Sequence, residues 1–547
     1  MSDATPLLRV EALTVSFGKR TTVDGISFEL ARGRCLGVIG ESGAGKTQLF
    51  LGLLDLLPPQ ASVTGRAFLG DTALIGAGAR AVRGRRAAMI FQDPMTALTP
   101  HLRIGDQVAE PLVAHHGKSW SEARAEAVRL LGQVRLTDAE RRARQYPHEL
   151  SGGMRQRVTI AMALAGAPEL LIADEPTTAL DVSVQTGILA LLRQLEVERG
   201  MTLAVITHDM GVIAGLADDV LVMRAGKAVE QGTVDAVLKA PRAQYTRALL
   251  AATPRLDERI EPQTTPIAAG IAPLSARHVS VRYPVPRGLF RRANVFQAVA
   301  DVSLTVNPGE ALGIVGESGS GKSSLTRALL RLSADASGEI AWLGREVNAL
   351  HGAALRALRD RAQIVFQDPF ASLDPVMTVA QIVAEPLRAL RPMMSAALRA
   401  EHVARLLEGV GLDATYLTRR SRELSGGQNQ RVAVARAMVI EPQLLVCDEA
   451  VSALDVSVQA QVLELLANFK RTRGTSIVFV SHNLAVVRRL CDRVLVMYQG
   501  AVVEEGAVAD VFAAPRHPYT RLLLESVPRL DPAAERARLA AHAADSA

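Results

Sequence analysis

Gly40-Glu41-Ser42-Gly43-Ala44-Gly45-Lys46-Thr47 is the stretch on which the reading of this chain turns. It follows an apolar run at residues 35–39 and precedes Leu49, Phe50, Leu53, Leu54 and Leu57 at helical spacing. Buried strand, glycine-rich turn and helix make the setting in which G-x(4)-G-K-[ST] cradles phosphate. The glycines let successive backbone N–H groups converge on an anion, and the following helix aims its positive end at the same point. Lys46 is then expected to reach the β- and γ-phosphates and Thr47 to hold Mg2+. The motif recurs as Gly316-Glu317-Ser318-Gly319-Ser320-Gly321-Lys322-Ser323, after the apolar run at 311–315. One such string could be an ordinary glycine-rich turn; two in matching surroundings are not.

Each loop is followed by the same series of motifs. The first half continues with Gln92 in an FQDP segment, LSGGMRQR at 150–157, Asp174-Glu175, ALD at 179–181 and His208. The second continues with Gln367, LSGGQNQR at 424–431, Asp448-Glu449, ALD at 453–455 and His482. The offset barely drifts: it is 276 residues between Lys46 and Lys322, and 274 both for Ser151 and Ser425 and for His208 and His482. A repeat this long is a duplicated domain, because each copy can bury a core of its own.

The chemistry follows from where the charges fall. Residues 170–173 and 444–447 are apolar runs that end abruptly in two acids, and charge at the C-terminal edge of a buried strand suits a metal site on an open α/β sheet. Asp174 and Asp448 are expected to bind Mg2+ through water. Glu175 and Glu449 are expected to orient or deprotonate the attacking water. A strand simply leaving the core would not need the same Asp-Glu pair twice. His208 and His482 also end apolar runs, where a histidine on its own would read as a core-edge residue; beside the other motifs it reads as a γ-phosphate contact. Ser151 and Ser425 look like helix N-caps ahead of amphipathic helices at 154–164 and 428–438. Such a helix end is a second anion site in each half, which makes sense if it serves the nucleotide held by the other half.

Composition narrows the class further. A hydrophobic content of 48% suits buried sheets, yet the longest apolar runs, such as 203–206 and 477–480, are strand-length and far short of the ~20 residues that span a bilayer. The first residues have neither the basic flank nor the apolar stretch of a signal peptide, so a cytosolic chain is expected. The net charge of +6 reflects a bias toward arginine, with fifty-five Arg against seven Lys, and contains no long basic block of the kind that binds nucleic acid. Two of the seven lysines are Lys46 and Lys322. Cys35, Cys447 and Cys491 lack any CxxC spacing, and Cys35 and Cys447 read as small buried hydrophobes. His115-His116 reads as a solvated loop.

Each half opens with alternating patterns, at 8–17 and 276–283, that suit antiparallel strands. Stretches rich in Ala, Arg, Leu and Glu at 107–144 and 381–422 read as helical insertions. The remainder alternates strand and helix, as a doubly covered parallel sheet requires. The expected fold is α/β: two tandem phosphate-loop cassettes, each with a mixed, mainly parallel sheet, an antiparallel β subdomain and a helical subdomain. The expected division is a first cassette at 1–255, a proline-bearing linker at 256–273 and a second cassette at 274–547, with the Ala-rich end at 532–547 frayed.

These motifs resemble those of the ATP-binding cassette ATPases, and specifically the fused double-cassette subunits of oligopeptide/dipeptide-type importers. LSGGMRQRVTIAMAL looks like the first-type ATPase of those importers; FQDPFASLDP and DEAVSALDVSVQAQVL look like the second. The tails PRAQYTRALLAATPRLD at 241–257 and PRHPYTRLLLESVPRLD at 515–531 resemble the extension that marks the subfamily. The resemblance implies that the halves close head to tail around two Mg-ATP molecules. Site one then takes residues 40–47, Gln92, Asp174, Glu175 and His208, completed by Ser425, Gly426 and Gly427. Site two takes residues 316–323, Gln367, Asp448, Glu449 and His482, completed by Ser151, Gly152 and Gly153. It places Gln92 and Gln367 in both the catalytic set and the metal set, and makes Phe17 and Tyr283 candidates for stacking on adenine. Asn429 stands where the family usually has a long polar or basic residue, and Ala450 where it usually has Pro. Relatives that carry an iron–sulfur centre have a cysteine cluster near the domain end; here 241–273 and 515–547 contain no cysteine, so no cluster is expected.

The resemblance further implies an importer motor on the cytoplasmic face of the inner membrane. It would act on two separate permease subunits, fed by an extracytoplasmic binding protein, with peptides the leading cargo and nickel, glutathione-like and peptide-antibiotic cargos open. The competing reading is a soluble tandem-cassette ATPase acting on ribosomes or DNA. It is disfavoured because the region between the halves has neither a long charged helix nor a coiled-coil or zinc insertion. A sugar-importer double cassette usually contains one degenerate site, whereas both sets of motifs here are intact.

Overall fold

Alternate residues of the buried strands face two different cores, and that alternation builds the layers. In Cys35–Ile39, Leu36 and Val38 pack into one cluster with the antiparallel strands, while Cys35 and Ile39 pack into another with the helices. Leu170–Asp174 and Thr202–Thr207 divide in the same way: Leu170, Ile172, Ala204 and Ile206 on one side, Leu171, Ala173, Leu203 and Val205 on the other. Each fully buried Leu, Ile or Val side chain contributes roughly 1.5–3 kcal/mol, so a sheet covered on both faces is the stable use of such runs.

The computed structural model describes residues 6–76, 78–177, 180–257, 270–287, 291–333, 335–451 and 454–545. The chain divides into two units. Unit 1 comprises residues 1–180, 184–253 and 528–547; unit 2 comprises 181–183 and 254–527.

In unit 1 a six-stranded sheet runs in the order Lys227–Thr233, Asp219–Arg224, Cys35–Ile39, Thr202–Thr207, Leu170–Asp174, Ala87–Ile90. All are parallel except the edge strand Lys227–Thr233. Beside it lies an antiparallel sheet, Arg20–Ala31, Pro6–Phe17, Ala61–Leu69, Thr72–Ala73. The helical subdomain is built on Ile104–His116 and Trp120–Gln133, the latter begun by a Ser119/Glu122 capping box. His115 and His116, expected in a loop, are instead the last residues of Ile104–His116. That helix continues until Gly117 adopts φ 64° and ends it, and basic groups are favoured at a helix C-terminus.

Unit 2 repeats the plan. Its six-stranded sheet runs Ala362–Val365, Leu444–Asp448, Ser476–Val480, Ala311–Val315, Arg493–Tyr498, Ala501–Ala507, and its antiparallel sheet Arg291–Val306, Leu274–Arg287, Ala336–Trp342, Arg345–Glu346. Cys35, Cys447 and Cys491 are buried, free thiols.

The chain end departs from the expected division. Residues 528–547 belong to unit 1 rather than to the second cassette, and the stretch expected to fray forms the helix Pro532–Asp545 over its described residues. Leu539 is 1% exposed within the first unit's core, and Arg536 donates to the Ala217 carbonyl at 2.6 Å and to Asp218 at 3.0 Å. The helix Met210–Leu216 receives it through small residues. A Cβ on Gly215 would lie 2.8 Å from Leu539 Cδ1, and one on Gly211 would lie 2.4 Å from Pro528. The matching helix of unit 2, Leu484–Leu490, has Arg488 and Arg489 in place of Ala214 and Gly215 and offers no such face.

A charge exchange accompanies this. Position 196 in unit 1 is a buried Glu, and its counterpart in unit 2 is the buried Lys470, which pairs with Asp492 at 2.7 Å. Unit 2 therefore neutralises Asp492 from within, whereas Asp218 takes Arg536 from the terminal helix. The expected linker begins in unit 2, where Leu256 packs against the core; residues 258–269 lie outside the described residues.

Candidate nucleotide sites

Strand order brings the predicted residues of each half to one edge of its sheet. The loop at 40–47 joins the central strand Cys35–Ile39 to the helix Lys46–Leu53. Gly40 has φ 156°, and a Cβ there would sit 2.1 Å from the Met223 carbonyl oxygen, so the loop can enter along this path only with glycine. Lys46 is buried and donates to the carbonyls of Gly40 at 2.7 Å and Glu41 at 2.9 Å. Thr47 Oγ1 donates to Asp174 Oδ1 at 3.2 Å.

Glu175 leaves its strand with φ 46°, a left-handed conformation that costs a non-glycine residue energy and that clusters at functional sites. Gln92 Nε2 donates to its Oε2 at 2.8 Å, and His208 Nδ1 lies 3.2 Å from its Oε1. Asp174, Glu175 and His208 are thus gathered at the ends of two neighbouring strands, with Gln92 reaching in from just beyond a third, Ala87–Ile90.

Unit 2 repeats this almost atom for atom. Lys322 donates to the Gly316 and Glu317 carbonyls, each at 2.8 Å, and Ser323 Oγ to Asp448 Oδ1 at 3.1 Å. Gln367 Nε2 donates to Glu449 Oε2 at 2.7 Å, Glu449 has φ 49°, and His482 Nδ1 stands 3.9 Å from Glu449 Oε1.

The electrostatics are those of a cation site. Burial pushes the Asp174 carboxyl up to about 6, neighbouring Glu175 adds to this, and Thr47 and Lys46 oppose it. Asp448 is raised for the same reason, burial first. For Glu449 burial is outweighed by His482 and Lys322, and the carboxyl falls below its usual range. A buried carboxylate with a hydroxyl 3.1–3.2 Å away is a hard-oxygen pair of the kind that suits Mg2+.

A family profile described as "ABC transporter" matches residues 23–178 and 299–452. Across 98% of its length the chain is 45% identical to the glutathione import ATP-binding proteins of Shigella sonnei (strain Ss046) and Escherichia coli (strain K12), covering 91% of each. It is 43% identical to the protein of the same name in Salmonella paratyphi A, covering 92% of it. The chain belongs to the ATP-binding cassette transporter family.

Within that family it is an importer ATPase of the fused double-cassette kind. A second profile, "Oligopeptide/dipeptide transporter, C-terminal region", matches 229–278 and 503–546, so both halves carry the importer tail. Among solved structures, a dimeric ATP-binding cassette in a post-hydrolysis state with ADP and phosphate aligns at 29% identity and a TM-score of 0.40, covering 43% of this chain and 98% of that one.

The remaining predicted residues of this cassette pair fall as follows. Ser151 caps Gly152–Ala165, and a Cβ on Gly153 would meet Val184 at 2.4 Å. Ser425 caps Gly426–Met438 in a capping box with Gln428, and a Cβ on Gly427 would meet Val458 at 2.7 Å. Phe17 and Tyr283 are half-buried against the cores of their antiparallel sheets, and Tyr283 donates to Ser324 Oγ at 3.3 Å. Ala179 and Ala453 lie outside the described residues.

Asn429 is fully buried and donates to the Ser421 carbonyl at 3.0 Å, the bond that Arg155 makes to Pro147 in unit 1. The shorter side chain therefore keeps the long one's contact. Two residues escaped the sequence reading: the Tyr245 and Tyr519 hydroxyls touch the phosphate loops. Their only signal was the YTR shared by the two tails.

Proposed function

We propose that this importer motor drives uptake of peptides or small peptide-like cargo such as glutathione, with Mg-ATP as its fuel. It would act through two separate permease subunits and an extracytoplasmic binding protein, at the cytoplasmic face of the inner membrane. The observation that carries the reading is the importer tail in both halves, joined to near full-length similarity to glutathione import ATP-binding proteins. No helix among the described residues is long and apolar enough to cross a membrane.

In this reading Gly40, Glu41, Ser42, Gly43, Ala44, Gly45, Lys46 and Thr47, and their counterparts 316–323, bind the phosphates. Thr47 with Asp174, and Ser323 with Asp448, would hold Mg2+, joined by Gln92 and Gln367; when bound, the ion would supply positive charge to offset that of the phosphates. Glu175 and Glu449 accept a proton from the attacking water, and Gln92, Gln367, His208 and His482 orient it and the γ-phosphate. The helix N-termini at Ser151, Gly152 and Gly153 and at Ser425, Gly426 and Gly427 offer N–H groups to a triphosphate. Phe17 and Tyr283 serve as the adenine platforms. A strain lacking the chain should lose uptake of labelled glutathione and dipeptides, and the Lys46→Ala/Lys322→Ala form should not restore it. Unchanged uptake of both cargos in the deletion strain would refute the cargo assignment.

A further inference from the structure

The importer tails do more than close their domains: in both units they reach the phosphate loop by the same series of bonds. In unit 1, Glu230 on the edge strand Lys227–Thr233 accepts the backbone N–H groups of Arg242 at 2.7 Å and Ala243 at 3.1 Å. This holds the start of the tail helix Gln244–Ala252. Tyr245, one residue into that helix, is buried, and its hydroxyl accepts the Glu41 N–H at 3.2 Å. In unit 2, Glu504 accepts from Arg516 at 2.8 Å and His517 at 3.0 Å, and the Tyr519 hydroxyl accepts the Glu317 N–H at 2.8 Å.

The residue held in this way is the second of the phosphate loop. Its carbonyl takes the lysine ammonium, from Lys46 at 2.9 Å or Lys322 at 2.8 Å. One peptide segment is thus fixed on its N–H side by the tail tyrosine and on its C=O side by the phosphate-binding lysine. The ring surroundings differ between the copies: the Arg224 guanidinium lies 4.8 Å from the Tyr245 ring, whereas Tyr498 lies 4.3 Å from Tyr519. The packing has diverged while the hydroxyl contact is kept in both, so the hydroxyl is the shared feature. Burial pushes the Tyr519 hydroxyl above its ordinary range, which keeps it a neutral acceptor.

We propose that Tyr245 and Tyr519 are positioning residues for nucleotide binding, and that through them each importer tail sets the affinity of its own cassette for the polyphosphate. The tyrosine touches no reacting atom. It aligns the loop entrance, and through Glu41 or Glu317 the lysine, so its loss acts on binding more than on the chemical step.

The test uses the full chain with Tyr245→Phe, Tyr519→Phe and the double variant, each of which keeps the ring. Equilibrium titration with ATP and with ADP is expected to show Kd raised by about five- to tenfold, from an amide N–H left without its acceptor. The factor should be the same for both nucleotides because the loop grips the shared phosphates, and each single variant should weaken one of two sites. The KM for ATP should rise with it while kcat stays within about twofold. Native affinity in the Phe variants overturns the proposal, as does a loss confined to ATP or a fall in kcat at unchanged KM. Tyr245→Leu and Tyr519→Leu separate packing from positioning: if they lose nucleotide-free stability while the Phe variants bind normally, the tyrosines serve packing alone and the proposal fails.

Discussion

Arg536→Ala should weaken the first cassette and leave the second untouched. The guanidinium makes two bonds there, to the Ala217 carbonyl and to Asp218, and its side chain is 34% exposed, so solvent screens part of the interaction. Hydrogen bonds to charged groups are worth about 1.5–3 kcal/mol; with the screening discount, a loss of about 1–2 kcal/mol is expected. Asp218 would keep the Cys35 N–H at 3.0 Å but lose its ion-pair partner, with the buried Glu196 close by and Arg193 the remaining nearby cation. For a domain of this size that loss corresponds to a fall of roughly 2–8 °C in melting temperature.

Hydrogen exchange in mild denaturant reads the two units separately, through Thr202–Thr207 in one and Ser476–Val480 in the other. Only the first strand should lose protection. Unit 2 also supplies a repair: Lys470 sits at the position of Glu196 and pairs with Asp492. Glu196→Lys in the Arg536→Ala background should therefore restore most of the lost protection. Equal loss in both strands, or an added loss on introducing the lysine, would refute the view that the terminal helix supplies a cation that unit 2 carries internally.

Three further outcomes follow from the same contacts. Burial, only partly offset by Arg193, raises the Glu196 carboxyl to about 7; the native state therefore holds a proton that the unfolded chain releases near 4.5, and first-unit stability should fall by the order of 2–3 kcal/mol between about pH 4.5 and 7, a slope that Glu196→Gln should abolish in pH-dependent denaturation. Gly215→Arg, which imports the unit 2 residue onto the face that meets Leu539, should expel the terminal helix and open residues 528–545 to limited proteolysis, with no change if that face does not hold it. Glu175→Gln and Glu449→Gln should each slow their own site by ~10²–10⁴-fold in single-turnover assays while ATP still binds; a full rate in either variant would remove that carboxylate from the base role.

The local chemistry of this protein was legible without coordinates. The strand boundaries Cys35–Ile39 and Ala311–Val315, the capping serines Ser151 and Ser425, and the acids ending Leu170–Asp174 and Leu444–Asp448 all follow from short-range rules of apolar runs, glycine turns and helix starts. The Gln–Glu–His groupings were legible as a set because the motifs recur in order, although their side-chain distances were not. The tertiary structure decided what those rules cannot reach. The return of residues 528–547 to the first unit joins Arg536 to Asp218 across 318 residues, and the tyrosine contacts with the loops span 204 and 202. Contacts over such separations leave no periodicity behind. They are selected by where a cluster of acids can take a further cation and which helix face is small enough to be covered, and Glu196 beside Asp218 and Gly215 beneath Leu539 acquire that meaning only when the folded chain brings them together.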